Sequence, residues 1–529
     1  MKADSHLANE RRWWTLAVLC LSLTVISIDN TILNVALPSI VESLNARGSE
    51  LQLLIDGYTI VFACLLLTAG SLGDKLGRKG ILTIGLGLFG ACSALAALST
   101  SATMLIAARA LMGIGGACIY PSTLSILTNT FHDDRERGRA IGIWAGVSGL
   151  GVAIGPLAGG ILVEHFWWGS VFLVNVPICL IAIAAGHRYV PTTTRDPDHA
   201  LDPYGAVFSV VALIGLLYAI IVIPDRGVAD PVVIVSFVVG LVFLLAFGWW
   251  ETHYQHPMLE LHFFKNPRFS AASATITLTF FALYGSTFLL TQYFQFVLEY
   301  SPLKAGVLTA PVAVGIMVMA PQAPRLVERI GTKLVVVIGL VIVAVGMATY
   351  SIEPIVSSFV GGAFARLLFG IGMGLVIAPA TESIMGSLPK AKAGVGSAVN
   401  DTTRQTGGAL GVAIIGSVFA AVYHHEIKVP DGLPAGAVPM VRDSIGAALD
   451  SIGRFDLPAT VGRLVHDASG EAFFSGMQVA AWLGTGIIVC AAVVAYRFLP
   501  ARAEQGAQAD AELEDDARFA ASLDDGMPM

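Results

Sequence analysis

The chain has 529 residues, of which 55% are apolar and 13% charged, with a net charge of −7 and a mean hydropathy of +0.73. A soluble domain carries about 25% charged residues, so this composition excludes one that covers itself with polar surface. The apolar residues form runs of about 20, each long enough to cross a bilayer as a helix. A transmembrane barrel would show short alternating strands instead. We therefore predict an all-α integral membrane protein.

The apolar runs predict fourteen transmembrane helices after a short N-terminal segment over 1–12. They cover residues 13–35, 50–72, 80–98, 102–128, 139–163, 170–188, 203–223, 231–249, 269–290, 303–322, 333–350, 357–385, 398–423 and 473–497. The segments on one side of these spans hold 21 Lys and Arg residues, and those on the other side hold seven. Because cytoplasmic loops are enriched in Lys and Arg, this bias predicts that both ends of the chain are cytoplasmic.

The first predicted span contains a carboxylate, Asp29, within the sequence SIDNTILN over 27–34. Polar residues lie on several faces of this helix, including Asn30 and Asn34, which indicates that it lines a water-filled cavity. A charge inside hydrocarbon costs on the order of 3 kcal/mol or more and marks a candidate functional site. We predict that Asp29 takes part in proton coupling and that the two asparagines line a substrate cavity.

Two further charges lie in the N-terminal part of the chain, Asp56 in the second span and Arg109 in the fourth. At 1.5 Å per residue, both lie in the outer half of the membrane, close to the level of Asp29. Two interpretations are open. In one, Arg109 is a structural element that neutralises one of the carboxylates and holds the helices together. In the other, the three groups serve proton coupling.

The fifth span carries a glycine stripe in the sequence GVAIGPLAGG. Gly151, Gly155 and Gly159 recur every fourth residue, followed by Gly160, so another helix can approach this face closely. Pro156 removes a backbone donor and bends the helix. The alternative is ordinary packing of small residues.

The second half of the chain has four more ionisable residues within its spans, Arg366, Glu382, Asp401 and Arg404. Arg366 lies near the depth of Arg109, whereas the other three lie in the inner third, so two charged layers are predicted. Glu382, Asp401 and Arg404 are further candidates for proton coupling. The alternatives are that Glu382 faces the cytoplasm and that the other two form an ion pair, since three residues separate them on one helix face.

The sequence repeats itself at a constant offset of 257 residues, since ARALMGIGG in the fourth span matches ARLLFGIGM in the twelfth. Duplicated halves around a central site are a transporter architecture. The predicted units are a half over 13–188, two inserted helices over 203–249, a half over 269–497 with an external loop over 424–472, and a disordered acidic tail over 500–529. The external loop is expected to contain one or two amphipathic helices.

Four segments resemble motifs of the major facilitator superfamily, and specifically of its 14-helix drug:proton antiporter family. They are DNTILNVALP over 29–38, GSLGDKLGRK over 70–79, the fourth-span motif over 109–113 and the glycine stripe over 151–160. The resemblance implies a fold of two pseudo-symmetric six-helix halves plus two inserted helices. One departure is that residues 306–320 of the tenth span lack the acid that some exporters of cationic drugs carry there.

The resemblance also implies roles for individual residues. Asp74 and Arg78 would form a conformational latch that bridges the two halves at the cytoplasmic side. The other members of this latch would be Gly70, Gly73, Gly77 and Lys79. Asp29 would be a proton or cation site, and Arg109 would tune the acidity of a nearby carboxylate. The glycine stripe with Pro156 would shape the leak-tight helix packing used in antiport.

The favoured function is export of small hydrophobic or amphiphilic compounds in exchange for protons, by a monomer in a bacterial plasma (inner) membrane. Protons would be the coupling ion, with no other cofactor, no metal and no nucleic-acid partner. The absence of a GxxxxGK[ST] motif disfavours ATP-driven pumping, and no enzyme is expected. The alternatives are dedicated export of one native metabolite, lipid or siderophore, and a non-transporting receptor or scaffold.

Overall fold

The computed structural model describes residues 2–44, 48–192, 202–227, 229–254, 257, 259–352, 358–389 and 392–501. This part of the chain is helical, without a β-strand. Asn34, Asp56 and Pro156 lie on described helices, but their side chains are outside the described part, and so is the predicted tail from residue 502 onward.

The described helices of the N-terminal half and of the insertion cover the predicted spans, although α1 begins eleven residues before its predicted span and ends nine residues after it. Their bounds are α1 Lys2–Leu44, α2 Gly48–Leu76, α3 Arg78–Ala97, α4 Ala102–Thr130, α5 Asp134–His165, α6 Ser170–Leu173, α7 Asn175–Tyr189, α8 Pro203–Arg226 and α9 Pro231–His253. The helices α8 and α9 begin with proline, as do two later ones, because the first helical position needs no backbone N–H.

The described helices of the C-terminal half repeat this arrangement. Their bounds are α10 Pro267–Gln292, α11 Pro302–Met319, α12 Ala323–Ile330, α13 Thr332–Ala348, α14 Phe359–Met385, α15 Ala393–Glu426, α16 Ala437–Asp443, α17 Ile445–Arg454 and α18 Ala459–Phe498. The short helices α16 and α17 lie in the segment predicted as an external loop. The last helix begins at Ala459 rather than at residue 473, so its first turns occupy the end of that predicted loop.

Helix length and hydropathy support the predicted membrane protein. Within the described residues, 12 helices are long and apolar enough to cross a membrane, or 13 if α11 and α12, which meet at 53°, form one span. The helix α5 covers the remaining predicted span over 139–163. One predicted span, 170–188, is divided between α6 and α7. The all-α membrane fold is therefore confirmed.

The two halves meet along α5 against α11 and along α2 against α15. The inserted helix α8 covers one edge of this contact, where Leu217 packs against Cys64 of α2 and Ala409 of α15. We call the face that carries the α2–α3 and α4–α5 connections the inner face, which the charge bias predicts to be cytoplasmic. Some of the charged residues predicted from the sequence, such as Asp29 and Arg109, contact each other within one half. Others, such as Glu382, make contacts between the two halves.

Candidate functional site

The outer charged layer of the N-terminal half is a closed polar cluster. Asp29 of α1 and Arg109 of α4 form an ion pair, and their side chains are 0% and 2% exposed. The other carboxylate oxygen of Asp29 accepts a hydrogen bond from Asn175 Nδ2 at 3.1 Å. The same amide donates to Ser93 Oγ at 3.3 Å. The cluster thus joins α1, α3, α4 and α7 within one half.

Aromatic rings enclose the guanidinium of Arg109. Its central carbon lies 4.2 Å from the ring centroid of Tyr58 and 5.9 Å from that of Phe172. A cation over an aromatic face is stabilised electrostatically, and more so when both groups are desolvated. Both charges of the Asp29–Arg109 pair therefore have partners, which is the arrangement expected if the pair holds α1 and α4 together.

The inner charged layer is arranged differently. Asp401 of α15 is 1% exposed, and its Oδ1 accepts a hydrogen bond from Asn400 Nδ2 at 3.1 Å. Its Oδ2 is buried and has no hydrogen-bond partner among the described residues. Asp401 and Arg404 do not form an ion pair within the described part, although they share a helix face. One oxygen of this buried carboxylate is thus free to bind a proton or a cation.

Arg404 instead reaches away from α15 toward other helices. It donates hydrogen bonds to Thr381 Oγ1 at 3.0 Å and to Tyr120 Oη at 3.3 Å. Its guanidinium also lies 5.1 Å from the ring centroids of Trp144 and Phe280. Tyr120 and Trp144 belong to the N-terminal half, so Arg404 connects the two halves.

Glu382 lies at the inner face and does not point freely into water. Arg137 of α5 donates two hydrogen bonds to Glu382 Oε1 of α14, at 2.9 and 3.0 Å. Nearby, Arg135 of α5 makes a bidentate contact with Glu328 of α12, at 2.6 and 2.7 Å. Both pairs join the N-terminal half to the C-terminal half. Glu382 therefore takes part in closing the inner face.

The latch lies at the same face. Asp74 and Arg78 form an ion pair, and the 3% exposed Arg78 packs directly against Gly394, at the start of α15. A Cβ at Gly73 would lie 2.7 Å from the guanidinium, so a larger residue there would displace Arg78. Gly77 has a φ of 91°, a value that side chains disfavour. The latch thus contacts the other half through Arg78.

Two other latch residues have separate roles. Gly70 of α2 approaches α15 so closely that a Cβ there would lie 2.8 Å from Ala398 Cβ. Lys79 donates a hydrogen bond to the Val190 carbonyl at 2.7 Å, at the end of α7 in its own half. Gly70 therefore supports the contact between halves, whereas this bond of Lys79 stabilises the N-terminal half.

The glycine stripe of α5 packs against α1. Cβ atoms at Gly151 and Gly155 would collide with Ser27 and Thr31, and one at Gly159 would lie 3.0 Å from the Ile32 carbonyl. The partly buried Gly160 lies beside the stripe. The stripe thus acts within the N-terminal half, as the predicted close helix approach requires.

Nearer the inner face, α5 has a different partner. A Cβ at Gly142 would lie 2.9 Å from Pro321 Cα, at the bend between α11 and α12. Ser397 of α15 donates a hydrogen bond to the Pro121 carbonyl at 3.0 Å. The described polar contacts between the halves extend from the inner face to the level of Tyr120, so the structure is closed on its inner side.

The predicted cavity residues are less completely placed. Asn30 is exposed on α1, next to the buried Asp29. Asn34 lies further along the same helix. Sequence reasoning missed Asn175, Tyr120 and Thr381, although each is a polar residue within an apolar helix.

The arrangement of two helical halves, with a latch and buried charges, is that of a known transporter family. The sequence profile of the Major Facilitator Superfamily matches residues 19–412, a range that includes the predicted charged, latch and glycine-stripe residues. The chain belongs to this superfamily.

Curated relatives of the chain are bacterial resistance proteins. The chain is 37% identical to the multidrug efflux pump LfrA of Mycolicibacterium smegmatis, over 92% of this chain and 95% of that protein. It is 34% identical to the methyl viologen resistance protein SmvA of Salmonella typhimurium, over 89% and 94%. It is 32% identical to the puromycin resistance protein pur8 of Streptomyces alboniger, over 88% and 93%. The predicted kinship with drug exporters is confirmed.

Solved structures of the same superfamily share the fold. The human organic anion transporter MFSD10 aligns over 92% of this chain and 99% of its own with a TM-score of 0.62 and 14% identity. The proton:xylose symporter XylE aligns over 94% and 98% with a TM-score of 0.61 and 13% identity. At these identities, the comparison supports the fold alone.

Proposed function

We propose that the protein is a monomeric, proton-coupled antiporter that exports small hydrophobic or amphiphilic compounds across the plasma membrane, with its inner face in the cytoplasm. Membership of the superfamily and the names of the curated relatives support drug export. The observation that supports proton coupling is the free oxygen of Asp401, a buried carboxylate of α15, the helix that packs against α2 and α4 of the other half.

Asp401 and Asp29 would play different parts in exchange. The free Oδ2 of Asp401 can bind a proton without breaking an existing hydrogen bond. The positive end of a substrate would bind it once the halves separate and expose this carboxylate. The two ligands would then compete for one carboxylate, which produces exchange. Asp29 can bind a proton only after Arg109 moves away, so it would respond to a rearrangement within the N-terminal half.

Alternating access would require the inner face to open. The contacts that must break are Arg78 against Gly394, Arg137 with Glu382, and Arg135 with Glu328. The latch would therefore control the rate of alternation rather than the affinity for substrate, since it lies away from the middle of the membrane.

The proposal is tested in proteoliposomes with an acidic lumen, where protons leaving the lumen would drive a cationic dye inward. The wild-type protein should accumulate ethidium and rhodamine 123, and a protonophore should abolish accumulation. Asp401→Asn preserves the shape of the side chain and removes its titration. We expect this variant to bind both dyes more weakly and to equilibrate them, without accumulation above the level reached when no gradient is imposed.

Asp450→Asn is the matched control, because Asp450 is an exposed carboxylate of α17. It should accumulate dye like the wild-type protein. Full proton-driven accumulation by Asp401→Asn would move the coupling role to Asp29, for which Asp29→Asn is the corresponding variant. Wild-type protein that accumulates neither dye would contradict multidrug export and favour dedicated export of one native compound.

A further inference from the structure

The C-terminal half contains a buried arginine that the function proposed above does not use. Arg366 of α14 is 1% exposed, and its Nε and Nη1 have no hydrogen-bond partner in the described part of the chain. None of the ion pairs between described residues includes it. Burial of a charged group without a partner is costly, so such a group is retained for a reason other than stability.

The surroundings of Arg366 form a small cavity between the halves. The cavity has a volume of about 70 Å³, and a water molecule needs roughly 10–15 Å³ on the same measure. It is lined by Ser286, Thr287, Thr309 and Tyr350, and by Gly149 of α5 from the other half. The space therefore admits a group of a few atoms at the contact between halves, where a transported compound must pass.

Aromatic residues lie beside the guanidinium of Arg366. Its central carbon lies 4.8 Å from the ring centroid of Phe294, and Phe369 also lines the cavity. Ring stacking fixes the plane of an arginine without occupying its N–H groups. Nε and Nη1 thus lack an acceptor among the described residues. A guanidinium donates to a carboxylate through two adjacent N–H groups, and each of these nitrogens forms such a pair with Nη2.

The internal repeat shows what this site lacks. Arg366 corresponds to Arg109 at the offset of 257 residues, and the same offset takes Asp29 to Ser286. The N-terminal half therefore supplies its own carboxylate, whereas the C-terminal half has a hydroxyl group at the matching position. An arginine site that lacks its internal counter-ion has the composition of a receptor for an anionic group.

We propose that Arg366 binds the carboxylate of transported amphiphiles, so that compounds with a carboxylate belong to the substrate range. This inference rests on the proposed export function. The substrate would place its carboxylate against Arg366, near the outer half of the membrane, and its apolar body along the contact between the halves. A cationic compound without a carboxylate would not use this subsite.

The test uses rhodamine 110, which carries a carboxylate, and its methyl ester rhodamine 123, which does not. We expect Arg366→Met to weaken binding of rhodamine 110 by about tenfold or more, because a charge-assisted hydrogen-bond pair is lost. Binding of the methyl ester should stay within about twofold of wild type. Arg366→Lys should retain part of the affinity for rhodamine 110.

A second variant does not depend on removal of the arginine. Ser286→Asp places in the C-terminal half the carboxylate that Asp29 supplies in the N-terminal half. It should give Arg366 an internal partner, raise the thermal unfolding temperature, and abolish the preference for rhodamine 110. This combination separates loss of the subsite from loss of the fold.

Several outcomes would overturn the inference. They are wild-type binding of the methyl ester but not of rhodamine 110, equal weakening of both dyes by Arg366→Met, and no change for either dye. Replacement of chloride by methanesulfonate, which has no carboxylate, that alters both dyes equally would assign the site to a free inorganic anion instead. Proton-driven uptake of the methyl ester alone would leave the proposed export function standing, whereas uptake of neither dye would remove both proposals.

Discussion

The two halves of the protein contain equivalent buried arginines that have different partners. Arg109 and Arg366 lie 257 residues apart in matching sequences, and both are buried. Arg109 is bound to Asp29 and lies against Tyr58, whereas Arg366 lies against Phe294 and has no described carboxylate partner. Duplication thus preserved the position of the charge while its surroundings diverged.

This difference shows how one fold can separate stability from recognition. Breaking a buried ion pair leaves one charge uncompensated, so the cluster around Asp29 resists rearrangement. An unpaired buried charge has the opposite property, since a ligand of opposite charge would relieve its cost. We therefore expect the N-terminal half to be the more rigid one at this depth and the C-terminal half to be the more responsive to substrate.

Replacing each arginine in turn tests most directly whether Arg109 and Arg366 differ in their effect on stability. Arg109→Met should lower the free energy of unfolding by about 3–5 kcal/mol, because it leaves Asp29 buried without its partner. Arg366→Met removes an unpaired charge and should leave stability unchanged or raise it. Thermal unfolding of the purified variants in detergent measures both effects.

The double variant Asp29→Asn with Arg109→Met serves as the control, since it removes both charges together. It should recover much of the stability lost in Arg109→Met, as expected for residues in contact. Equal destabilisation by Arg109→Met and Arg366→Met would show that the two arginines are equivalent after all.

A second prediction concerns the helix packing that supports the N-terminal cluster. A Cβ at Gly155 would collide with Thr31 and lie 3.1 Å from the backbone carbonyl of Ile28. Because one of these neighbours is backbone, a change of the Thr31 rotamer cannot relieve all of the crowding. Gly155→Ala should therefore cost about 1–3 kcal/mol of stability. Gly87→Ala is the control, because nothing lies within 4 Å of a Cβ at that position. Similar unfolding temperatures for the two variants would show that α1 and α5 are not tightly packed.

The smallest expected effect concerns the exposed ion pair of Arg135 and Glu328, which joins the halves at the inner face. The hydrogen bond that Arg135 donates lowers the pKa of Glu328. The contribution of the pair to the free energy of unfolding is fully present above the ordinary pKa of a glutamate. It is lost as the pH falls through the lowered pKa of Glu328. Glu328→Gln should thus lower the unfolding temperature at neutral pH by no more than about 2 °C.

This difference between Glu328→Gln and wild type should vanish in acid, and also at high salt, since exposed ion pairs are screened. A difference that persists under both conditions would mean that Glu328 acts through packing rather than charge.

Much of the fold follows from the sequence, because hydropathy and length determine which segments can cross a bilayer. The boundaries are less predictable. The break between α6 and α7 follows no clear drop in hydropathy, and the first turns of α18 are too polar to be recognised as part of a long helix. Such features depend on packing against other helices.

The depth of the charged residues is predictable, but their partners are not. Counting residues places Asp29 and Arg109 at one level, yet cannot choose between Asp29 and Asp56 as the partner. Spacing puts Asp401 and Arg404 on one face, but the long arginine side chain binds Thr381 instead. These choices depend on how helices distant in sequence lie side by side.

The central claim is that substrate and protons exchange at a buried carboxylate. The most direct measurement adds rhodamine 123 to purified protein in weakly buffered detergent solution and follows pH with an indicator dye. The account predicts that binding releases protons from the wild-type protein, and that Asp401→Asn binds the dye with a much smaller release. Binding without proton release by the wild-type protein, at every pH between about 5 and 9, would contradict it.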